Sequence, residues 1–514
     1  MRLGVDFGTT HTVAALVDRG NYPVAGFEWG EVFPSAVALP HDTGEPRYGA
    51  EALALADDPG FTLVRSFKRL LADAGPLTRL AAGGREVLLA DVLAGHFARL
   101  RQEICERSNA TVAPDEPLDV AVSVPAHATS DQRFLTLDAF RRAGFDVLAL
   151  LNEPSAAGFE YAHRFRRTLT SRREYVLVYD LGGGTFDASL IHMSGRANEV
   201  VASAGVQRLG GDDFDEALLA LVLERARVEA PAPGLRRALL DECRRQKEGV
   251  QPQTRRLVVD LTLLGKAPLV LPMEEVSAAC RSLVEASLDV VDEVMRDPRR
   301  DPQADSVSWN ELAGIYVVGG ASSFPLVMRQ LRERFGAHRV KRSPHPFAAT
   351  AIGLANFLDE DAGYTLTDSL SRHFGVWREA AAGHGVAFDP IFLRDTRLPR
   401  LDEAPLSAVR RYRPAHNLGH FRYVECGRLR GGTPDGQVTP WDEIRFPFDP
   451  ALRDFGDLRG VRVERLPGDG PLFEERYACT AAGMFEVTLT ALADGWSRRY
   501  TIGRHGSGGA PLTS

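Results

Sequence analysis

The sequence predicts an α/β fold made of two similar halves, followed by a small antiparallel all-β domain. Three observations carry this. The unit strand, aspartate, glycine/threonine turn, strand occurs twice, as "LGVDFGTTHTVAALV" at 3–17 and "VLVYDLGGGTFDASLI" at 176–191. Repetition of a whole supersecondary unit suggests two related half-domains. Strand and helix patterns then alternate to about residue 357, as in α/β domains. Farther on, helical periods give way to two-residue alternation, as in "HFRYVEC" (420–426) and "MFEVTLTAL" (484–492).

The elements follow in order. After the first hairpin, "DVLAGHFARLRQEICER" (91–107) has helical spacing of its apolar residues. "LDVAVSVPA" (118–126) is a strand ending in a proline turn, and "DQRFLTLDAFRRAG" (131–144) is an amphipathic helix stopped by Gly144. "VLALL" (147–151) is a short strand. "NEPSAAGFEYAHRF" opens a helix with Pro154 in the first turn, where proline is tolerated. The segment 164–173 reads as a solvated basic connection. After the second hairpin, a helix starts behind two glycines at 210–226, and 235–248 and 274–295 are also helical. "LAGIYVVGGASSFPLVMRQLRERFG" (312–336) is strand, Gly-Gly turn, helix. The acidic stretch 358–368 is a linker, and "RHGSGGAPLTS" at 504–514 is expected to be disordered.

Composition narrows the function. The 514 residues suffice for roughly three units at ~150 residues each. A net charge of −8 argues against nucleic acid as a main ligand. No apolar run reaches the ~18 residues a membrane helix needs. The chain enters a core strand by residue 3, which leaves no room for a signal peptide. The five cysteines (Cys105, Cys243, Cys280, Cys426, Cys479) lack paired spacing, which suggests neither zinc nor a disulfide framework and fits a cytoplasmic protein.

The second hairpin carries the chemistry. A hairpin that only turns uses two residues. Here Gly182, Gly183 and Gly184 bare a longer stretch of N–H groups, a setting that suits an anion. Asp180 and Asp187 would repel that anion unless a cation lay between, and phosphate with Mg²⁺ meets both conditions. The bland alternative is a pair of ordinary glycine hairpins. Lysine usage adds a clue. Only Lys68, Lys247, Lys266 and Lys341 are lysines among 61 Lys plus Arg. A lysine kept in such a background is a candidate for a compact charge at phosphate.

No P-loop and no dinucleotide glycine fingerprint occurs. Instead the chain carries, in order, "GVDFGTT", "FKRLL", "VSVPA…DQR", "NEPSAA", "VYDLGGGTFD", "LGGDDFD" and "VVGGASSFP". This ordered set resembles the Hsp70 (DnaK-like) chaperone family over residues 3–356. The resemblance implies an actin-like two-lobed ATPase with duplicated ribonuclease H-like halves. It also implies a division into a nucleotide-binding domain (1–357), a linker (358–370), a β substrate-binding-like domain (371–505) and a tail (506–514).

The resemblance further implies site roles, with ATP/ADP and Mg²⁺ as cofactors. Asp6, Asp180 and Glu153 would hold Mg²⁺, largely through its waters. Gly8, Thr9 and Thr10 would wrap the phosphates from one lobe, and Gly182, Gly183, Gly184 and Thr185 from the other. Lys68 would touch the γ-phosphate and orient the attacking water, and Asp180 or Asp187 would take a proton. Gly210, Gly211, Asp212, Gly319, Gly320 and Ala321 would approach the ribose and α-phosphate. Arg244, Lys247, Gln251 and Ser323 would flank the adenosine. The chain departs from the family at two of these. Ser323 stands where an arginine stacks on the base, and Arg244 where a glutamate is usual. His11 is placed beside the nucleotide as a structural residue.

The β domain resembles the family's substrate-binding domain, with "IFLRDTRLP" (391–399), "NLGHFRYVECGRL" (417–429) and "RYACTAAGMFEVTLT" (476–490) as its matching pieces. Ile391–Leu429 is expected to line a groove for extended peptide, with Phe421, Tyr423 and Val424 on alternating faces. No helical lid is expected before the chain stops. Expected partners are unfolded or extended peptide clients and a nucleotide-exchange factor, with neither nucleic acid nor membrane. Coupling to J-domain proteins is expected to be weak. Ala149 replaces an arginine and the linker "YTLTD" is not strongly apolar, although Arg133 matches. Two other readings stay open, an actin-fold small-molecule kinase and a filament-forming or partner-binding ATPase.

Overall fold

The computed structural model describes residues 1–75, 77–82, 84–113, 116–126, 128–296, 308–380, 384–400, 402–466 and 470–501. The segment 504–514, expected to be disordered, lies outside the described residues. The chain forms two compact units. One comprises 1–70, 98–126 and 151–366; the other comprises 71–97, 127–150 and 367–514.

In the first unit each repeated hairpin has the same neighbours. Arg2–Phe7 pairs antiparallel with His11–Leu16, placing Asp6 opposite Val13. Asp119–Val124 runs parallel on the other side of Arg2–Phe7. Likewise Tyr175–Leu181 pairs antiparallel with Phe186–Ser194, placing Asp180 opposite Asp187. Leu312–Val318 runs parallel on its other side, and Ala197–Val206 extends the sheet beyond Phe186–Ser194. Strands buried on both faces read as continuous apolar runs, and Val176–Tyr179 is wholly buried.

Close backbone approach fixes the helices against these strands and each other. A Cβ added at Gly4 would stand 2.2 Å from Ala351 O, and one at Gly353 only 1.7 Å from Ala156 O. Helix Ala349–Leu358 therefore lies directly on Arg2–Phe7 and on helix Glu153–Arg164. The helices expected at 210–226, 235–248 and 274–295 are Gly211–Ala226, Pro233–Glu248 and Met273–Met295. Part of the linker is ordered as strand Thr365–Thr367, whose Thr365 N–H donates to Arg196 O at 3.0 Å.

The second unit holds a sandwich of two four-stranded antiparallel sheets. One runs Gly385–Phe392, His373–Ala380, Leu418–Arg430, Thr433–Pro447; the other runs Leu406–Tyr412, Phe473–Cys479, Phe485–Ala491, Ser497–Thr501. Phe374 stacks on Tyr423 at 5.7 Å and on Phe485 at 4.1 Å, so aromatic rings from both sheets fill the interior. Phe421, Tyr423 and Val424 are all buried, and the first two belong to this core. The alternation left open which face a peptide groove would use, and the face of Phe421 and Tyr423 is taken by this core. A buried ionic cluster joins the sheets. Arg378 donates to Glu475 at 3.2 and 2.6 Å and to Asp389 at 2.7 Å. Tyr412 and Tyr477 also donate to Glu475, which is fully buried.

Helix Ser130–Arg142, predicted among the α/β elements, belongs to this second unit. Thr129 and Gln132 form a reciprocal capping box at its N-terminus. Glu425 adds to that cap, accepting from Ser130 Oγ at 2.7 Å and Ser130 N–H at 3.3 Å. A carboxylate is favoured there by the helix dipole. Arg133 is buried and donates to Ala482 O at 3.2 Å, with Asp368 and Glu425 as counter-charges. No helix among the described residues is long and apolar enough to cross a membrane.

Candidate functional site

The two hairpin turns meet across one cavity of about 340 Å³ in the first unit. A Cβ on Gly183 would stand 2.0 Å from Thr10 Oγ1, and one on Gly184 would stand 2.7 Å from Thr9 Cγ2. Only glycine lets the turns approach this closely. Asp6, Gly8, Thr9, Thr10, His11, Lys68, Glu153, Asp180, Gly182, Gly183, Thr185, Gly211, Asp212, Arg244, Lys247, Gly319, Gly320, Ala321 and Ser323 all line the cavity. Gly184, Gly210 and Gln251 do not. Gly184 and Gly210 pack just behind the wall, where a Cβ on Gly210 would stand 2.6 Å from Gly184 N. Gln251 donates its N–H to Thr254 Oγ1 at 2.9 Å.

One end of the cavity holds a buried carboxylate group around a single ammonium. Lys68 Nζ lies 2.6 Å from Glu153 Oε1 and 5.3 Å from the centre of the Phe7 ring. Burial opposes the lysine's charge, but Glu153, Asp6 and Asp180 outweigh it and hold its pKa above the usual value. Burial, then Glu153, pushes Asp6 up to about 6, against Lys68 and a hydrogen bond from Ser123. Burial and the neighbours Glu153, Asp6 and Asp187 push Asp180 well above the usual carboxylate range. Burial, then Glu153, pushes Asp187 up to about 8. This end carries more negative charge than Lys68 can offset, which is the setting a cation relieves. No three acidic, histidine or cysteine side chains among the described residues stand close enough to chelate an ion directly. The donor set fits a hydrated Mg²⁺ held through its waters.

The other end is built on helix Pro233–Glu248. Lys247 donates to Gly211 O at 2.7 Å and pairs with Asp215 at 2.6 Å. Arg244 pairs with Asp212 at 3.0 Å and with Asp215 at 3.1 Å. The Ser323 hydroxyl accepts from Arg342 at 2.5 Å. His11 has its pKa lowered to about 4 by burial and then by Arg244, so its ring is neutral near pH 7.

Several residues on this wall escaped the sequence reading. Ser123 donates to Asp6 Oδ1 at 2.7 Å, fixing that carboxylate. Arg69 donates to Gly184 O at 2.9 Å and to Asp213 at 2.7 Å, tying the glycine turn to the 212–215 segment. Asp215 holds both Arg244 and Lys247, and Val32, Glu248, Val250, Phe324, Pro346, Phe347 and Thr350 complete the lining. Arg69 stands beside Lys68 in "FKRLL" and Ser123 lies in "VSVPA", but their partners are distant in sequence.

A cavity edged by two glycine hairpins and buried carboxylates, with Lys68 and Lys247 in its lining, has the make-up of a phosphate site in an α/β protein. Comparison with known proteins narrows this. The family profile described as Hsp70 protein matches residues 84–359. The chain is 33% identical to the "Chaperone protein HscA homolog" of Laribacter hongkongensis, over 69% of this chain and 57% of that protein. It is 31% identical to the protein of the same name in Chromobacterium violaceum, over 73% of this chain and 62% of that one. With the protein of that name in Aromatoleum aromaticum the identity is 32%, over the same two shares, 73% and 62%. The chain belongs to the Hsp70 family, whose members are ATPases with an actin-like fold. It spans about six-tenths of the length of these curated relatives.

Proposed function

We propose that this protein is an ATP-dependent molecular chaperone. In this reading it binds Mg-ATP between the two hairpins, hydrolyses it slowly, and couples the cycle to binding of unfolded or extended peptide by the β sandwich. The observation that carries the reading is the meeting of the bare glycine turn at 182–184 with Thr9 and Thr10, beside buried carboxylates. The repeated hairpins support descent from duplicated halves, and we retain 1–357 as the nucleotide domain, 358–370 as linker and 371–505 as client domain. The five free cysteines are in keeping with a cytoplasmic protein.

The backbone N–H groups of Thr9, Thr10, Gly183, Gly184 and Thr185 would hold phosphate oxygens, those of Gly8 and Gly182 being spent on His11 O and Thr185 O within their own hairpins. Asp6, Asp180 and Glu153 would face the ion's water shell. Bound Mg²⁺ supplies charge neutralisation at the phosphates. Lys68 would position a water by its ammonium, and Asp180 or Asp187 would accept the proton once a bound cation offsets the burial and carboxylate neighbours that raise their pKa values. A nucleotide-exchange partner fits this scheme. J-domain stimulation is expected to be weak, because Ala149 is a small buried residue where the family has arginine.

Phosphate release by the full chain, with and without an unfolded apolar peptide, tests the reading. Slow Mg²⁺-dependent turnover that changes with peptide is expected. Nucleotide binding with no peptide effect in either nucleotide state would remove the chaperone coupling. No nucleotide binding would remove the site.

A further inference from the structure

The basic stretch at 164–173 is more than a solvated connection. "RFRRTLTSRR" holds five arginines and no acidic residue, in a chain of net charge −8. It follows helix Glu153–Arg164 in the first unit and folds back on itself. Arg166–Thr168 forms a short helical turn. Thr170 and Arg173 then exchange backbone hydrogen bonds of 3.2 and 2.7 Å, closing a tight turn over Ser171 and Arg172. Apolar side chains hold the loop down. Phe165 and Leu169 pack against the core that contains Tyr161 and Tyr316, and the Tyr161 and Thr168 hydroxyls share a hydrogen bond of 2.7 Å. The loop is an anchored platform, so its charges are in place before any partner arrives.

Those charges are unspent. Arg164 pairs with Glu160 at 2.8 Å. Arg166, Arg167, Arg172 and Arg173 are exposed and make no hydrogen bond or ion pair through their guanidiniums among the described residues. The carboxylates that flank the loop in sequence are already taken, Glu160 by Arg164 and Glu174 by His192 at 3.3 Å. Arg196, on the turn between Phe186–Ser194 and Ala197–Val206, is also exposed. Burial raises the pKa of Tyr364 while Arg166 and Arg196 oppose the rise, so both guanidiniums stand near that one ring.

Guanidinium forks pair bidentately with carboxylates. Extent decides among anions. A nucleic-acid duplex or an anionic bilayer reaches far past the loop and would press its phosphates against a protein of negative net charge. A short run of Asp and Glu stays within a Debye length, ~8 Å, of the loop. We propose that the 164–173 loop, with Arg196 beside it, is a docking surface for an Asp/Glu-rich segment of a partner protein. This surface is separate from the nucleotide cavity, and the proposal does not rest on the reading of that cavity.

The test is fluorescence anisotropy of the full chain with a labelled octapeptide of alternating Asp and Glu, at low and physiological salt. Wild type is compared with R166Q/R167Q/R172Q/R173Q and with R428Q/R430Q, which removes two exposed arginines of the sandwich. Thermal melting checks folding. The peptide should saturate at one per chain and bind more weakly as salt rises. The loop variant should bind it at least about tenfold more weakly, since each exposed ion pair is worth up to about fivefold. The sandwich variant should change the affinity by less than about twofold. Unchanged affinity in the folded loop variant overturns the proposal. So does an equal loss in the sandwich variant, or no saturable binding at low salt. Short duplex DNA and phosphatidylserine vesicles are titrated in parallel. Tighter binding of either through the loop than of the peptide also overturns it, assigning the surface to nucleic acid or to a membrane.

Discussion

Lys68 Nζ sits 2.6 Å from Glu153 Oε1, and both side chains are only 10% exposed. The pair joins a residue of the "FKRLL" turn to the first residue of helix Glu153–Arg164, 85 positions away. In a cleft crowded with carboxylates this ammonium is the lysine that stands among them, Lys247 lying on helix Pro233–Glu248, so its removal reports directly on the site's chemistry.

Lys68→Ala should lower single-turnover ATP hydrolysis by at least about 100-fold, the effect of removing one preorganised charge at a developing transition state. Nucleotide affinity should change much less, since the backbone turns hold the phosphates. Rapid-quench turnover and fluorescent-ADP titration on the same preparation separate the two. Turnover at the wild-type rate would show that the lysine orients nothing.

Gly183→Ala should weaken nucleotide binding by about tenfold or more while the protein stays folded. Its added methyl would stand 2.0 Å from Thr10 Oγ1, forcing the hairpin turns apart. Overpacking of this kind costs about 1–3 kcal/mol. Titration with labelled ADP beside far-UV circular dichroism checks it, and wild-type affinity would mean the turns part freely.

His96 gives a pH dependence whose sign is fixed. It is fully buried, and burial pushes its pKa down to about 3. Below about pH 6.5 the unfolded chain takes up a proton that the folded chain refuses. The stabilisation is complete above that pH and is lost as pH falls toward 3, by about 1.4 kcal/mol per unit. Roughly 2 kcal/mol should disappear between pH 6.5 and 5. Urea midpoints at the two pH values, compared with His96→Leu, isolate the effect. An equal loss in the leucine variant would assign it elsewhere.

Arg378→Met should destabilise the β sandwich by about 3–5 kcal/mol, because it strands the fully buried Glu475 carboxylate. Arg378→Met combined with Glu475→Leu should recover much of that loss. Denaturant unfolding followed by sandwich tryptophan fluorescence reads both. A double variant no better than the single one would contradict the assignment.

The hairpins were legible because their signals are local. Asp6, Gly8, Asp180 and the glycine run each announce themselves within a few residues. Ser123, Arg69 and Asp215 were not, since each acts by contact with a residue brought near only by folding. The alternation around residue 421 showed that Phe421 and Tyr423 share a face. It did not show that this face is the closed core, which depends on the second sheet supplying Phe485 and Tyr477.

The cap that Glu425 places on Ser130 bears on how the chain can be dissected. A fragment ending at residue 357 looks like a natural excision by sequence. It would carry helix Ser130–Arg142 away from the carboxylate at its first turn, and would leave Arg133 without Ala482 O and Asp368. The scissors would thus cut through a cooperative piece instead of between two. Calorimetry on such a fragment would then describe a molecule with one frayed helix and one guanidinium stripped of two contacts, and differences between it and the intact chain would report that wound as well as the missing sandwich.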